Sequence, residues 1–142
     1  MADRKTRREV DTEATPDNHY PMTHDSLKQL NERHRRFVIE RNWQRHQTPK
    51  NLAMALTGEV GELVELFQWL TPEESREVAG ERRQAVAEEM ADVLIYLVRL
   101  ADEMGIDLVA AAHEKCEINE RKYPAEAFRE KDMRPHEYKE SK

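Results

Sequence analysis

The chain has 142 residues, which fits a single domain, and 38% of them are hydrophobic while 37% are charged. Its net charge of −6 argues against a nucleic-acid polymer as partner, because such binding neutralises phosphates with an excess of Lys and Arg. The single cysteine excludes an internal disulfide framework, and no segment approaches the roughly 18 consecutive apolar residues of a membrane span.

We therefore expect a cytoplasmic protein that does not enter membranes. The first ten residues, MADRKTRREV, contain no apolar run that could serve as a signal peptide. The low counts of Gly (4) and Pro (6) favour helices over a turn-rich sheet protein. Because the apolar content is small, the core of one chain is expected to be supplemented by burial between subunits.

Two polar ends flank the predicted domain. Residues 1–22 mix charge, Thr and Pro without a hydrophobic period, so a disordered N-terminal arm is predicted there. Residues 125–142 are similarly polar and are predicted to form a C-terminal tail. The helical domain is accordingly expected over residues 23–124.

The first predicted helix covers about residues 26–42, with Thr23 or Asp25 available as its N-cap. Apolar residues recur in it at spacings of three and four, which is typical of a helix that packs one stripe against a core. His34 lies on this stripe and is expected to point inward. The stripe consists of Leu27, Leu30, His34, Phe37 and Arg41.

The second predicted helix begins after Thr48, a capping residue that is followed by Pro49 at the first helical position. Its core stripe contains one acid, Glu59, among leucines. An acid in a buried position requires compensation, so Glu59 is a candidate functional residue. The stripe consists of Leu52, Leu56, Glu59, Leu63, Leu66 and Leu70.

A short helix and a third long helix follow. Thr71 and Glu74 have the spacing of a capping box, which predicts a short helix that ends near Gly80. The third long helix is predicted over about residues 81–104, with Gly105 as its stop. Its core stripe is Val86, Met90, Val93, Leu97, Leu100 and Met104.

The fourth long helix is predicted over about residues 108–122. Asp107 can cap its start, and Pro124 restricts the chain at its end. Four antiparallel helices with short connections predict an all-α fold, a four-helix bundle with one short extra helix.

Acids occur in pairs at the edges of two of the core stripes. Glu59 and Glu62 lie three residues apart on the second helix, and Glu89 and Asp92 repeat this spacing on the third. Residues three apart share a helix face, so antiparallel packing of the two helices would bring the pairs together. Four carboxylates in one cleft repel one another unless a cation compensates their charge. Because Mg2+ and Mn2+ prefer carboxylate and water oxygens, the pattern predicts a divalent-metal site.

Two other functions remain open from the residues alone. The acidic stripes could bind a basic partner protein, which would make the chain a non-catalytic interaction module. A di-metal carboxylate bundle also places acids inside four helices, but such sites characteristically add Glu-x-x-His pairs. None of the six histidines has a Glu three residues before it, so this alternative ranks lower.

The segments that carry the paired acids resemble a known family. GEVGELVELFQW and EEMADVLIYLVRLA are similar to the paired ExxE and ExxD motifs of the all-α, MazG-like nucleoside triphosphate pyrophosphohydrolases. The segments RNW, PKNLAMAL, LFQWL and INERKYP extend the resemblance in order over roughly residues 27–124. Both polar ends lie outside it.

The resemblance implies an enzyme that hydrolyses a deoxynucleoside triphosphate, expected to be dCTP or a 5-modified dCTP, to the monophosphate and pyrophosphate. Such a reaction serves nucleotide pool sanitation. The resemblance also implies a homotetramer, built as a dimer of dimers with sites near subunit interfaces. Glu59 or Glu62 would act as general base, and the residues do not decide between them. The implied ligands of Mg2+, or of Mn2+ as its substitute, are Glu59, Glu62, Glu89 and Asp92.

Seven further residues match substrate-binding positions of the family. The implied base pocket consists of His34, Trp43 and Trp69, and the implied phosphate and sugar contacts are Tyr96, Lys115, Asn119 and Tyr123. The structural alternatives are tryptophans that close the bundle end, a hydrogen-bonded core histidine and a polar face on the fourth helix. The loop from Arg45 to Pro49 departs from the family pattern, which leaves the preferred base open.

Overall fold

The computed structural model describes residues 27–129 and 134–140, and these contain helices and turns but no β-strand. The all-α prediction is confirmed. The predicted N-terminal arm and the candidate caps Thr23 and Asp25 lie outside the described residues. In chain order the helices are α1 (Leu27–Glu40), α2 (Pro49–Glu65), α3 (Pro72–Arg76), α4 (Gly80–Glu103), α5 (Leu108–Lys122) and α6 (Pro135–Glu140), with short 3-10 turns at Gln44–His46 and Ala125–Ala127.

Side-chain caps begin three of these helices as the sequence predicts. The Thr48 hydroxyl accepts a hydrogen bond from the Asn51 amide at 3.3 Å, and Pro49 occupies the first position of α2. Thr71 and Glu74 form a complete capping box at α3. The Asp107 carboxylate accepts from the Ala110 amide at 3.0 Å and starts α5. The predicted end of α3 near Gly80 is wrong, because α3 ends at Arg76 and Gly80 begins α4.

The end of α1 places Trp43. Asn42 has a left-handed backbone conformation with φ of 55°, and the Trp43 amide donates back to the Val38 carbonyl at 3.0 Å. This is a Schellman motif, in which the residue after the left-handed position folds back towards the last helical turn. The Trp43 ring consequently meets the Phe37 ring at a centroid distance of 5.7 Å. Gly105 ends α4 with the same motif, as the sequence predicts.

Helix α4 is the centre of the fold, because both α1 and α2 pack against it. Val38 on α1 and Leu52 on α2 are the largest fully buried side chains. None of the six residues of the stripe predicted for the second helix is exposed, but α2 ends at Glu65, so Leu66 and Leu70 lie in the turn that follows. Burial of these side chains against α4 supplies the apolar area that stabilises the three-helix layer.

An ion-pair network joins α1, α4 and the loop before α2. The Arg99 side chain is 7% exposed and pairs with Asp102 and Glu103 on its own helix. Arg99 Nε also donates to Gln47 Oε1 at 3.3 Å, and Arg35 Nε donates to Asp102 Oδ2 at 2.7 Å. The hydrogen bond from Arg35 holds the pKa of the Asp102 carboxyl below its ordinary value.

Replacement of Asp102 with Asn is expected to lower the free energy of unfolding at neutral pH by about 1.5–3 kcal/mol, as for hydrogen bonds to charged groups. The folded-state pKa of Asp102 lies below the ordinary value of 3.8, so its charge stabilises the fold above that pH and less as the pH falls through the folded-state pKa. Urea unfolding at neutral and acid pH measures this effect. A difference between wild type and variant that stays constant with pH would contradict the role of the charge.

The fourth long helix buries little surface in a single chain. Every residue of α5 after Leu108 is exposed. Part of the predicted core stripe of α4 is exposed as well, with Met90 at 57% and with Leu97 and Met104 also open to solvent. The spacing of these residues marks an apolar stripe correctly, but α2 covers a neighbouring face of α4. One chain therefore leaves apolar surface on α4 that its own helices do not cover.

The rings of Tyr123, Phe128 and Tyr138 cluster at centroid distances of 5.0–6.2 Å, which connects α6 to the end of α5. Within the described part of the chain, no helix combines the length and the apolar character needed to cross a membrane.

Candidate active site

Three acids from two helices converge where α2 packs against α4. Glu59 on α2 and Glu89 and Asp92 on α4 each present a carboxylate oxygen, and these oxygens all lie within 4.8 Å of one another. Glu59 and Glu89 are half-buried, whereas Asp92 is exposed. We call these three residues the acid triad. Glu62, one turn along α2, is exposed and stands outside the triad.

The acid triad carries uncompensated negative charge. Burial raises the pKa of Glu59, and the charges of Asp92, Glu62 and Glu89 raise it further. Burial likewise raises the pKa of Glu89, followed by the charges of Glu62 and Asp92. Oxygen Oε2 of Glu89 is buried and has no hydrogen-bond partner. A buried acceptor without a donor is costly, so this site favours a bound cation or a proton.

The donor set suits a hard divalent cation. All three side chains of the acid triad are carboxylates, and the described cluster contains no His or Cys. Mg2+ and Mn2+ prefer such oxygen ligands, whereas softer metals favour imidazole and thiolate. A bound cation would give the unpartnered oxygen of Glu89 a partner. It would also favour the ionised form of Glu59, whose pKa is raised without it. The residues therefore fit a divalent metal.

A cavity of about 530 Å3 adjoins the acid triad. Asp92 belongs to both, because its carboxylate joins the triad while the residue lines the cavity. The cavity is within the usual size range of small-molecule sites. Its lining is predominantly aromatic and aliphatic and consists of Leu30, Arg33, His34, Phe37, Trp43, Asp92, Ile95 and Tyr96.

Aromatic rings of α1 and the following loop form one wall of this cavity. The His34 and Phe37 rings are nearly parallel, with centroids 5.9 Å apart and an interplanar angle of 15°. Phe37 meets Trp43 edge to face, and the Arg41 guanidinium lies 3.6 Å over the Phe37 ring. These contacts fix the positions of the rings that line the cavity.

His34 and Tyr96 supply polar atoms to the cavity. Burial lowers the pKa of His34, and the charge of Arg99 lowers it further, so the imidazole is neutral at pH 7. Its Nδ1 atom is buried without a hydrogen-bond partner. Burial raises the pKa of the Tyr96 hydroxyl, as do the charges of Glu59 and Asp92. Tyr96 is thus a protonated donor between the acid triad and the cavity.

The structure brings some predicted substrate-binding residues together and leaves others apart. His34, Trp43 and Tyr96 meet in the cavity. Trp69 is 87% exposed beyond the end of α2 and does not line it. Lys115 and Asn119 are exposed on α5, and Tyr123 contacts Phe128 and Tyr138 instead. Within one chain these four residues do not join the cavity.

Four residues of the lining are not predicted from the sequence as binding residues, namely Leu30, Arg33, Phe37 and Ile95. Phe37 has the spacing of a core residue on the stripe of α1, yet the residue is 40% exposed and its ring stacks beside His34. Arg33 has no motif and no apolar period to mark it. In the sequence, the position of Arg33 next to His34 is the feature that indicates a place near the predicted binding residues.

The chain is similar to proteins of a known family. A model of the MazG-like family matches residues 55–135, which include the acid triad. The chain is 45% identical over 106 residues to dCTP pyrophosphatase 1 of Homo sapiens and 43% identical to that of Bos taurus, in each case over 73% of this chain. The chain spans 62% and 63% of the length of these two relatives.

A solved structure is similar as well. The crystal structure of a pyrophosphatase from Archaeoglobus fulgidus superposes with a TM-score of 0.67 at 45% identity, covering 72% of this chain and 95% of that one. The matched family region extends over more than half of the residues. The chain belongs to the MazG-like family.

Proposed function

We propose that the protein is a Mg2+-dependent nucleoside triphosphate pyrophosphohydrolase that converts dCTP, or a 5-modified dCTP, to the monophosphate and pyrophosphate. The observation that carries the proposal is the sharing of Asp92 between the acid triad and the aromatic cavity. A nucleotide has a planar base at one end and phosphates at the other. The cavity suits the base, and a metal at the triad suits the phosphates.

Stacking supplies the affinity for the base in this proposal. The rings of His34, Phe37 and Trp43 are held by mutual contacts, and stacking on such faces contributes about 1–3 kcal/mol per base. Stacking does not identify a base, so selectivity requires hydrogen bonds. The position of His34 in the cavity lining supports a role in that recognition. The names of the curated relatives make dCTP the first substrate to test.

The acids of α2 and α4 perform the hydrolysis. Glu59, Glu89 and Asp92, with Glu62 beside them, would hold Mg2+ or Mn2+, which when bound neutralises phosphate charge and acidifies water. Glu59 or Glu62 accepts the proton of the attacking water. Oxygen of that water forms the new bond to the α or the β phosphorus while the phosphoanhydride bond between them breaks, and either attack gives the monophosphate and pyrophosphate. Tyr96 is placed to donate a hydrogen bond to a phosphate oxygen.

The enzyme works as a homo-oligomer in this proposal, a homotetramer built as a dimer of dimers. The exposed apolar residues of α4 and the uncovered α5 support the burial of these surfaces by further copies. A neighbouring α5 would supply Lys115, Asn119 and Tyr123 to the phosphates and sugar, and a neighbouring chain would supply Trp69. Such an arrangement accounts for residues that match the family yet lie away from the cavity of their own chain.

We assign the activity to sanitation of the cytoplasmic nucleotide pool. The free, exposed thiol of Cys116 supports a reducing compartment. The decisive experiment is incubation of the purified full chain with Mg2+ and a panel of canonical and 5-modified deoxynucleoside triphosphates. Conversion of dCTP to dCMP and pyrophosphate, lost on addition of a chelator, supports the proposal. Equal turnover of purine triphosphates would contradict the base assignment, and no turnover of any nucleotide would contradict the activity.

A further inference from the structure

Arg33 is a cation in the cavity without a structural role of its own. It lies on α1 beside His34, lines the cavity and is exposed. Among the described residues Arg33 forms neither an ion pair nor a hydrogen bond. Arg35, two residues further along α1, is paired with Asp102. A guanidinium that contributes to packing or stability normally shows such a partner. Within the described part of the chain, the guanidinium donors of Arg33 are therefore free to meet a ligand.

The charges around the cavity indicate what these donors meet. Asp92 and the acid triad are negative, and a nucleoside triphosphate would bring several further negative charges to the same place. A positive side chain beside any bound metal would reduce the repulsion among these charges. Among the described lining residues, Arg33 is the only permanent cation, because the pKa of His34 is lowered. Electrostatic balance thus assigns Arg33 to an anionic part of the ligand.

The shape of the guanidinium agrees with this assignment. Its planar fork of N–H donors matches two oxygens of a phosphate, and such bidentate contacts are strong and directional. The base, in contrast, is uncharged and already has the faces of His34, Phe37 and Trp43 for stacking. We propose that Arg33 binds the triphosphate of the nucleotide and is a substrate-binding residue of this chain. The inference rests on the proposed function and adds a residue to it.

The test compares substitutions at two arginines of the same helix. Arg33→Gln removes the charge and keeps the side-chain polarity, and Arg33→Lys keeps the charge but loses the bidentate fork. Arg36→Gln is the matched control, since Arg36 is exposed on α1 and does not line the cavity. Circular dichroism verifies the helical fold of each variant before kinetics with dCTP are measured.

We expect Arg33→Gln to raise the KM for dCTP by about tenfold to hundredfold, the usual effect of a lost hydrogen bond to a charged group, and Arg33→Lys to raise it less. Arg36→Gln should behave as wild type. In titration calorimetry, Arg33→Gln should weaken the binding of a non-hydrolysable dCTP analogue but leave the binding of deoxycytidine unchanged. The difference in affinity for the dCTP analogue between Arg33→Gln and wild type should also become smaller as the salt concentration increases.

Two results would overturn the proposal. Equal KM and equal analogue affinity in Arg33→Gln and Arg36→Gln would remove Arg33 from the site. If Arg33→Gln weakened the binding of deoxycytidine and of the dCTP analogue equally, Arg33 would contact the nucleoside rather than the phosphates. Absence of turnover in the wild type would contradict the proposed function instead, while the binding measurements would still decide the role of Arg33.

Discussion

Replacement of Glu89 with Gln is expected to remove metal-dependent turnover and, at the same time, to stabilise the metal-free protein. Burial and the charges of Glu62 and Asp92 raise the pKa of Glu89, so its ionised form is unfavourable in the fold at neutral pH. The amide is close to isosteric and relieves this repulsion. The same change removes a proposed metal ligand, and a metal ion contributes several kcal/mol to stabilising transition-state charge.

We therefore expect kcat/KM for dCTP to fall by at least about 100-fold, while the melting temperature in chelator rises. Addition of Mg2+ should raise the melting temperature of the wild type and leave that of Glu89→Gln nearly unchanged. Kinetics and thermal melts with and without chelator measure both effects. Two changes of opposite sign distinguish a functional acid from one that merely supports the fold.

Glu88→Gln is the matched control for this prediction. Glu88 is the neighbouring residue on α4, is exposed and shares a hydrogen bond with Gln84 rather than with the acid triad. It should keep wild-type turnover and its response to Mg2+. Unchanged turnover in Glu89→Gln, or a melting temperature lowered in chelator, would contradict the assignment of Glu89 to a repulsive metal site.

Complementation between two inactive variants is the second large effect that we expect. Glu89→Gln damages the acid triad, and Lys115→Ala removes a predicted phosphate contact on α5. If each site combines the triad of one chain with α5 of another, a mixed dimer contains one site with both defects and one with neither. Random exchange of subunits should then restore about one quarter of wild-type turnover, as expected for a two-fold symmetric interface.

The matched control mixes Glu89→Gln with Asp92→Asn. Both substitutions lie in the acid triad, so every site in a mixed oligomer keeps one defect and turnover should stay low. Native mass spectrometry verifies subunit exchange in both mixtures. Formation of mixed oligomers of Glu89→Gln and Lys115→Ala without recovery would show that Lys115 does not complete the site of another chain.

Local signals of the sequence predicted the helices well. The side chains of Thr48, Thr71 and Asp107 each cap a helix by accepting a hydrogen bond from the backbone amide three residues ahead. Such contacts depend on only a few neighbouring residues. The same holds for Gly105, whose left-handed conformation ends α4. The boundary at Gly80 was missed because glycine permits a positive φ at either end of a helix.

The candidate site was partly visible in the sequence. Helical spacing placed Glu59, Glu89 and Asp92 on facing stripes, and the structure brings them together. Spacing alone could not separate Glu62 from them, because side-chain direction across a helix pair depends on packing. The helical spacing also placed Phe37 and Met90 on apolar stripes, but it does not show which residues cover them. Phe37 borders a cavity, and Met90 is left exposed by its own chain.

The central claim is that the acid triad binds a divalent cation beside a nucleotide. A crystal grown with Mn2+ and a non-hydrolysable dCTP analogue tests it directly, because Mn2+ is located by its anomalous scattering. The account predicts an anomalous peak among the carboxylate oxygens of Glu59, Glu89 and Asp92, with the base between the rings of the cavity. An ordered nucleotide whose Mn2+ lies elsewhere, with these three carboxylates turned to solvent, would contradict it.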